Sequence, residues 1–267
     1  ELKTGYNTIQ EAVDAAVPGN NTIEVYPGGD YGTGSIAIVQ REGVNIELAA
    51  KGDVTLKNRI LIDGDGRSNG TETLTIRGFT FDFSDSESTV IISAKKGELG
   101  STKNNYAHNI TIEDVRFIGN PSADVAAIGT TTGATFGLTI RNCEGIYLHS
   151  LGQLHVARGF TVENCTVTAR EGGISFYGNG DAVITNLTVQ GTSYGVRAGQ
   201  SSGTVNTNGT LTITSSHMSA TYPVWLRANA PHSVTIVGSE LSPLAGGTEI
   251  RIDANEEDIT LTVIPNP

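Results

Sequence analysis

Ile140-Arg-Asn-Cys143, Val162-Glu-Asn-Cys165 and Ile184-Thr-Asn-Leu187 write one line three times within Leu138 to Val189, at a spacing of 22 residues. Each copy sets an inward apolar residue, an outward polar one, an Asn and a second inward residue. The line returns less regularly as Ile76-Arg-Gly-Phe79, Ile112-Glu-Asp-Val115, Ile213-Thr-Ser-Ser216 and Ile236-Val-Gly-Ser239. Its third position therefore runs Gly78, Asp114, Asn142, Asn164, Asn186, Ser215, Gly238. Gly, Asn and Asp tolerate a left-handed backbone, because the side chain is absent or bonds locally. One such residue between two short strands makes a sharp bend, and a bend repeated every 22 to 36 residues is a solenoid signature. The chain reads as all-β: a single-stranded right-handed parallel β-helix with an N-terminal amphipathic cap helix. A propeller repeat of about 40 to 50 residues is too long for the tightest turns. A sandwich wants Asn-Gly or Asp-Gly hairpins at the repeat, and Asn208-Gly209 and Asp65-Gly66 do not recur there.

The chain has 267 residues, 33 of them Gly, with 37% hydrophobic and 6% aromatic residues. A solenoid need not divide, because each coil contacts only its neighbours. One domain over 1–267 is expected, with 1–20 the helical cap, 21–264 the coils and 265–267 the start of a linker. A net charge of −11 argues against nucleic acid or an anionic membrane surface as partner. No apolar run approaches the roughly 20 residues of a membrane span. The chain opens on Glu1-Leu2-Lys3 and closes on Ile264-Pro-Asn-Pro267, which reads as a processed piece of something longer, so further domains are expected partners. Cys143 and Cys165 take the same place in successive coils. They are expected to be two buried thiols about 4.8 Å apart, since a disulfide between in-register parallel neighbours is geometrically awkward.

Tyr6 to Val17 reads as the one helix. Asn7 or Thr8 caps it, Gln10 stands in capping-box position to Asn7, and Ile9, Ala12, Val13 and Ala16 form its apolar stripe. Pro18-Gly19 ends it. Thr22–Val25, the turn at Pro27-Gly28 to Tyr31, and strands at 36–39, 46–48, 54–56 and 60–62 follow. Thr8-Ile-Gln-Glu-Ala-Val13, Thr22-Ile-Glu-Val25, Pro27-Gly28 and Tyr31 together resemble the cap and first coil of the pectin lyase-like superfamily, and pectinesterases open similarly. The resemblance covers about the first 65 residues by motif and the remainder by repeat pattern. It implies the β-helix fold and, from a superfamily of lyases, hydrolases, esterases, tailspikes and adhesins, no single activity.

The superfamily's known machinery does not carry over. Stacked Asp residues for calcium with an Arg or Lys base, the Asn-Thr-Asp, Asp-Asp, Gly-His-Gly and Arg-Ile-Lys set of polygalacturonases, and the Gln-Asp and Arg-Pro-Trp of pectinesterases are all missing. Asp63-Gly-Asp65-Gly-Arg67 reads as a turn between coils, because Arg67, Ser68 and Leu74 stand where a calcium loop needs ligands or Gly. His149 and His155 are the one His pair near metal spacing, and no zinc site is expected from them. No cofactor is expected, and calcium is not indicated.

The functional signal is the third strand of each coil: Gly173–Tyr177, Gly195–Ala198, Pro223–Arg227 and Glu249–Asp253. Alternation sends Ile174, Phe176, Val196, Ala198, Val224, Leu226, Ile250 and Ile252 inward. Ser175, Arg197, Trp225 and Arg251 then stand one above another outside, flanked by Tyr177, Arg227 and Asp253, with Tyr194 and Tyr222 just before two of the strands. Aromatic faces stack on sugar rings, and Arg forks onto carboxylate or sulfate. Tyr177, Tyr194, Arg197, Tyr222, Trp225, Arg227 and Arg251 are the carbohydrate-binding candidates. The segments entering this sheet are too short to build a tall wall, which suits binding better than water-excluding chemistry. Glu171 and Asp181 are the carboxylates a glycosidase would use, and both read as solvated turn residues. The expectation is an extracellular or cell-surface module that binds a polysaccharide or other glycan and is not a catalyst. A lyase or hydrolase with an unrecognised site is the rival, and a structural spacer or adhesin segment the third reading. The stretch from Tyr147 to His155 aligns ambiguously, Asp82 to Asn109 is the longest insertion, with Lys95 to Lys103 a loop inside it, and the last coil, Ile259 to Ile264, leaves an edge for a domain or partner to cover.

Overall fold

All seven bend residues have positive φ: Gly78 (78°), Asp114 (54°), Asn142 (53°), Asn164 (52°), Asn186 (51°), Ser215 (50°) and Gly238 (55°). In the computed structural model, which describes residues 5–64, 67, 69–93, 106–130, 134–154, 157–177, 180–200, 206–254 and 258–265, they mark the corner of a parallel β-helix of about eight turns. Between the first coil and the last, each coil gives a run to a first sheet before the bend, one to a second sheet after it, and one to a third sheet before the chain rises to the next coil. Every strand pairing among the described residues is parallel, coil upon coil.

The inward ranks make the core. Ile76, Ile112, Ile140, Val162, Ile184, Ile213 and Ile236 stack in register and are at most 1% exposed. β-Branched side chains fill this pleated interior without losing rotamers they would otherwise use. Outside the same strands runs a rank of Thr75, Thr111, Thr139, Thr161, Val183, Thr212 and Thr235. At the corner the bend side chains bond one another. Asn186 Nδ2 donates to Asn164 Oδ1 (2.9 Å), Asn164 to Asn142 (3.3 Å), and Asn142 to Asp114 Oδ1 (3.1 Å). Cys143 and Cys165 are free, buried thiols in successive coils, as expected.

The cap helix is shorter than the sequence pattern predicts, Ile9–Asp14. Thr8 is its N-cap and closes a capping box with Glu11, so the Asn7–Gln10 pairing is corrected. Gln10 is turned instead onto the backbone of Ala37, donating to its carbonyl and accepting from its N–H. Arg41 donates to the carbonyls of Val13 and Ala16 at the other end. A backbone demand beyond the helix thus takes one of the helix's side chains, and a side chain from beyond the helix serves the helix's own C-terminal carbonyls.

A second departure explains the ambiguous alignment near Tyr147. The strand Glu144–Leu154 shifts register on both sides of Leu148, and Tyr147 bulges outward at φ 56°. The Lys95–Lys103 loop lies outside the described residues, as do Asp65 and His155.

Between the third and first sheets a buried polar corner ties four coils. Gln40 and the backbone of His108 exchange hydrogen bonds, and Glu72 accepts from Gly43 N–H (2.9 Å) and pairs with Arg67 (2.7 Å). Burial alone would raise the Glu72 carboxyl, but the Gly43 N–H, the Arg67 guanidinium and its own backbone outweigh it, and the carboxyl falls from 4.5 to about 2. A depressed carboxyl contributes stability that is complete above its unfolded value and lost as pH falls through the folded one. Urea midpoints are therefore expected to fall between about pH 4.5 and about pH 2, and Glu72→Gln to shrink that fall while lowering the midpoint at neutral pH.

Candidate binding face

The third sheet presents three columns of side chains outward, one rung apart, about 4.8 Å. The middle column is Gln153, Ser175, Arg197, Trp225, Arg251, the last four in register as read from the sequence and Gln153 added by the structure. The near column is Gly172, Tyr194, Tyr222. The far column carries Tyr177, Arg227 and Asp253, with Gly199 leaving a gap between Tyr177 and Arg227. Toward the N-terminus the middle column turns apolar: Leu61 and Ile92 are 4% and 5% exposed although they point outward. There the segment before Ile91–Ser93 lies over the sheet, with Thr89 Cγ2 3.2 Å from where a Cβ on Gly129 would stand. The face opens only beyond it.

Trp225 is the centre of the open part. Its indole N–H donates to Asp253 Oδ2 (2.8 Å), which fixes the ring. Three guanidiniums surround the ring, Arg227 and Arg251 at 4.9 Å from its centroid and Arg197 at 5.9 Å. Arg251 also lies over Tyr222 at 4.6 Å, and Tyr222 packs on Trp225 at 5.4 Å. Ion pairs hold two of the three cations: Arg251 to Asp253 (2.8 Å) and Arg197 to Glu171 (3.2 Å). Arg227 faces no carboxylate within ion-pair distance among the described residues. The pairing lowers the Asp253 carboxyl: burial opposes the shift, and Arg251 and the Trp225 N–H overcome it.

Tyr194 departs from the expectation. It points outward but is 0% exposed, because its ring lies flat over Gly172 and Arg197 covers it at 4.3 Å. A Cβ on Gly172 would stand 2.5 Å from that ring, so only glycine leaves the space. A ligand on the face meets Arg197, not Tyr194. The phenol hydroxyl stands without a hydrogen-bond partner beside Ser150 and Ser175, and burial pushes its pKa to about 12. Arg197 Nε and Nη2 meanwhile donate to Ser175 Oγ (3.2 and 3.1 Å).

Glu171 is not a solvated turn residue. One oxygen takes Arg197, the other takes His149 Nε2, and its carboxyl is held low, first by the His149 hydrogen bond. His149 Nδ1 faces Asp124 Oδ1 at 3.1 Å, off the line of a hydrogen bond, and Asp124 is paired with Arg170. Asp181 lies elsewhere, on the first sheet, where it accepts from Thr210 Oγ1 (2.7 Å), so the two carboxylates do not form a pair. Sequence reasoning missed His149, Asp124 and Arg170. His149 and Glu171 are 22 residues apart, the repeat spacing, but the bulge at Tyr147 hides that they are successive rungs.

Among the described residues no three His, Cys, Asp or Glu side chains gather as metal ligands. Asp63, of the turn once compared with a calcium loop, is 1% exposed with both oxygens unpartnered, and burial raises its carboxyl. A concavity of about 780 Å³ lies between the cap helix and Gly19–Val25, remote from Trp225, and Glu24 is the one carboxylate among the described residues that line it. Fold and face together define a parallel β-solenoid with an aromatic and cationic patch on its third sheet. Compared with known protein families, with characterised proteins and with solved structures, the chain matches none.

Proposed function

We propose that the open part of the third sheet binds carbohydrate bearing carboxylate or sulfate groups, on a module of the pectin lyase-like kind displayed outside the cell. One observation carries the reading. Trp225 is ringed by three arginines, of which Arg227 alone has no carboxylate within ion-pair distance among the described residues, in a chain whose net charge is −11. Cations clustered beside a fixed aromatic ring offer an acidic sugar both a guanidinium fork and an apolar surface. Catalysis is the weaker reading. Glu171 and Asp253 are locked in ion pairs, and the Tyr194 phenol lies under Arg197, so none of these three groups offers a free acid or base to a ligand on the face.

A glycan array of neutral, carboxylated and sulfated sugars, scored for retention and for degradation, tests this. Wild type is expected to retain acidic glycans intact, and Trp225→Ala to weaken retention by roughly thirtyfold or more, the size of a central aromatic contact. Arg227→Ala should weaken acidic glycans selectively. Degraded glycan would establish the lyase or hydrolase instead, and retention unchanged in Trp225→Ala would sink the assignment of this face.

A further inference from the structure

We infer that His149 is the positioning residue of this face: protonated, it holds Glu171 and leaves Arg197 available to an acidic ligand, and on losing its proton it returns Glu171 to Arg197. The inference rests on the binding reading above and names how that site is regulated.

The geometry asks for a charged ring. Glu171 Oε2 meets Nε2 and Asp124 Oδ1 stands 3.1 Å from Nδ1. A neutral imidazole has one N–H and one bare lone pair, so either tautomer sets a lone pair against a carboxylate. The imidazolium alone carries an N–H on both sides, one on Glu171 and one beside Asp124, which lies off its line and meets it as a charge only. The ring is 16% exposed and Glu171 28%, so water screens the Glu171 side little, while Asp124, 71% exposed, is screened and paired with Arg170.

The charges around the ring come from three elements. Asp124 lies in the turn before Ala126–Thr130, Arg170 and Glu171 in Ala157–Phe176, and Arg197 in Tyr194–Ala198. Tyr194 also faces the cluster and is uncharged across the neutral range. With His149 charged the cluster holds three cations to two anions, and without that proton it is balanced. Glu171 is the link, because its two oxygens serve His149 and Arg197 at once. When His149 stops neutralising it, the full carboxylate charge falls on Arg197 and competes with any ligand anion there. Both effects weaken acidic ligands as pH rises.

Dextran, carboxymethyl dextran and dextran sulfate share one backbone and serve as probes. Retention of wild type on the two charged polymers is expected to fall roughly tenfold from the acid to the alkaline end of the titration. His149→Gln keeps a donor toward Glu171 but never charges, and should bind at every pH as wild type does at the alkaline end. His217→Gln, remote on the second sheet, should keep the wild-type response. Asp124→Asn removes one carboxylate from the ring and should move the midpoint to lower pH. A titration of the His149 ring followed by NMR, without ligand, should move the Arg197 Nε–H signal with the same midpoint. An unaltered pH slope in His149→Gln, or an Arg197 signal deaf to His149, overturns the inference and leaves binding standing. Loss of retention on both charged polymers at every pH overturns the binding reading and this inference with it.

Discussion

Phe81→Ala is expected to cost about 3–5 kcal/mol, near the top of the range for a buried aromatic. Phe81 is 0% exposed. Its ring is stacked on Phe117 of the next coil, 5.7 Å between centroids at 12°, and tilted against Phe79 of its own strand at 5.9 Å. Truncation removes the middle of that stack. A cavity in most cores is partly closed by small shifts of the surrounding elements. Here the rungs above and below are fixed by parallel backbone pairing from Thr80 to Arg116, Phe81 to Phe117 and Asp82 to Ile118, so the walls have little room to approach. Phe81→Leu keeps most of the volume and should cost under about 1.5 kcal/mol. Urea midpoints at constant m-value measure both. A loss below about 1 kcal/mol for the Ala variant would mean that the coil collapses onto the gap, and the rigidity assigned to the rungs would be wrong.

The same regularity explains what was legible in the sequence. A solenoid repeats its constraints, so a rule inferred at Asn142, Asn164 and Asn186 extends to Gly78, Asp114, Ser215 and Gly238, and each has the positive φ that rule requires. Registers follow, because an inward Ile cannot slip one residue without facing solvent. That placed Ser175, Arg197, Trp225 and Arg251 in one column before any coordinates. What sequence could not supply was the conformation of long side chains across rungs. Arg197 folds back over Tyr194 instead of reaching outward, and Gln10 bonds the Ala37 backbone as well as Asp14 of its own helix. These choices turn on which neighbour is left with an open hydrogen bond, a three-dimensional question. Irregularity hid the rest: the register slips at Leu148 and is restored by Ser150, so the 22-residue spacing from His149 to Glu171 lies inside a stretch whose pattern does not repeat.

Asn164 serves the fold in two separable ways, and two substitutions should part them. Its backbone sits at φ 52°, and its amide both donates to Asn142 (3.3 Å) and accepts from Asn186 (2.9 Å). Asn164→Gly keeps the bend at no steric cost but deletes both amide bonds, for an expected loss of about 1–2 kcal/mol. Asn164→Val loses the same bonds and forces a β-branched residue into the left-handed region, which adds roughly 1–2 kcal/mol. The expected total for Val is about 3 kcal/mol, with Gly midway to wild type in the same urea titration. Equal losses for Gly and Val would mean that the backbone relaxes out of the left-handed region, and the bend would not be what specifies the repeat. No loss for Gly would mean that the amide ladder only decorates the corner. The intermediate result assigns the bend to backbone conformation and its reinforcement to the ladder. On that result Ser215 and Gly238, which carry positive φ without an Asn amide, are corners that keep the turn and forgo the reinforcement.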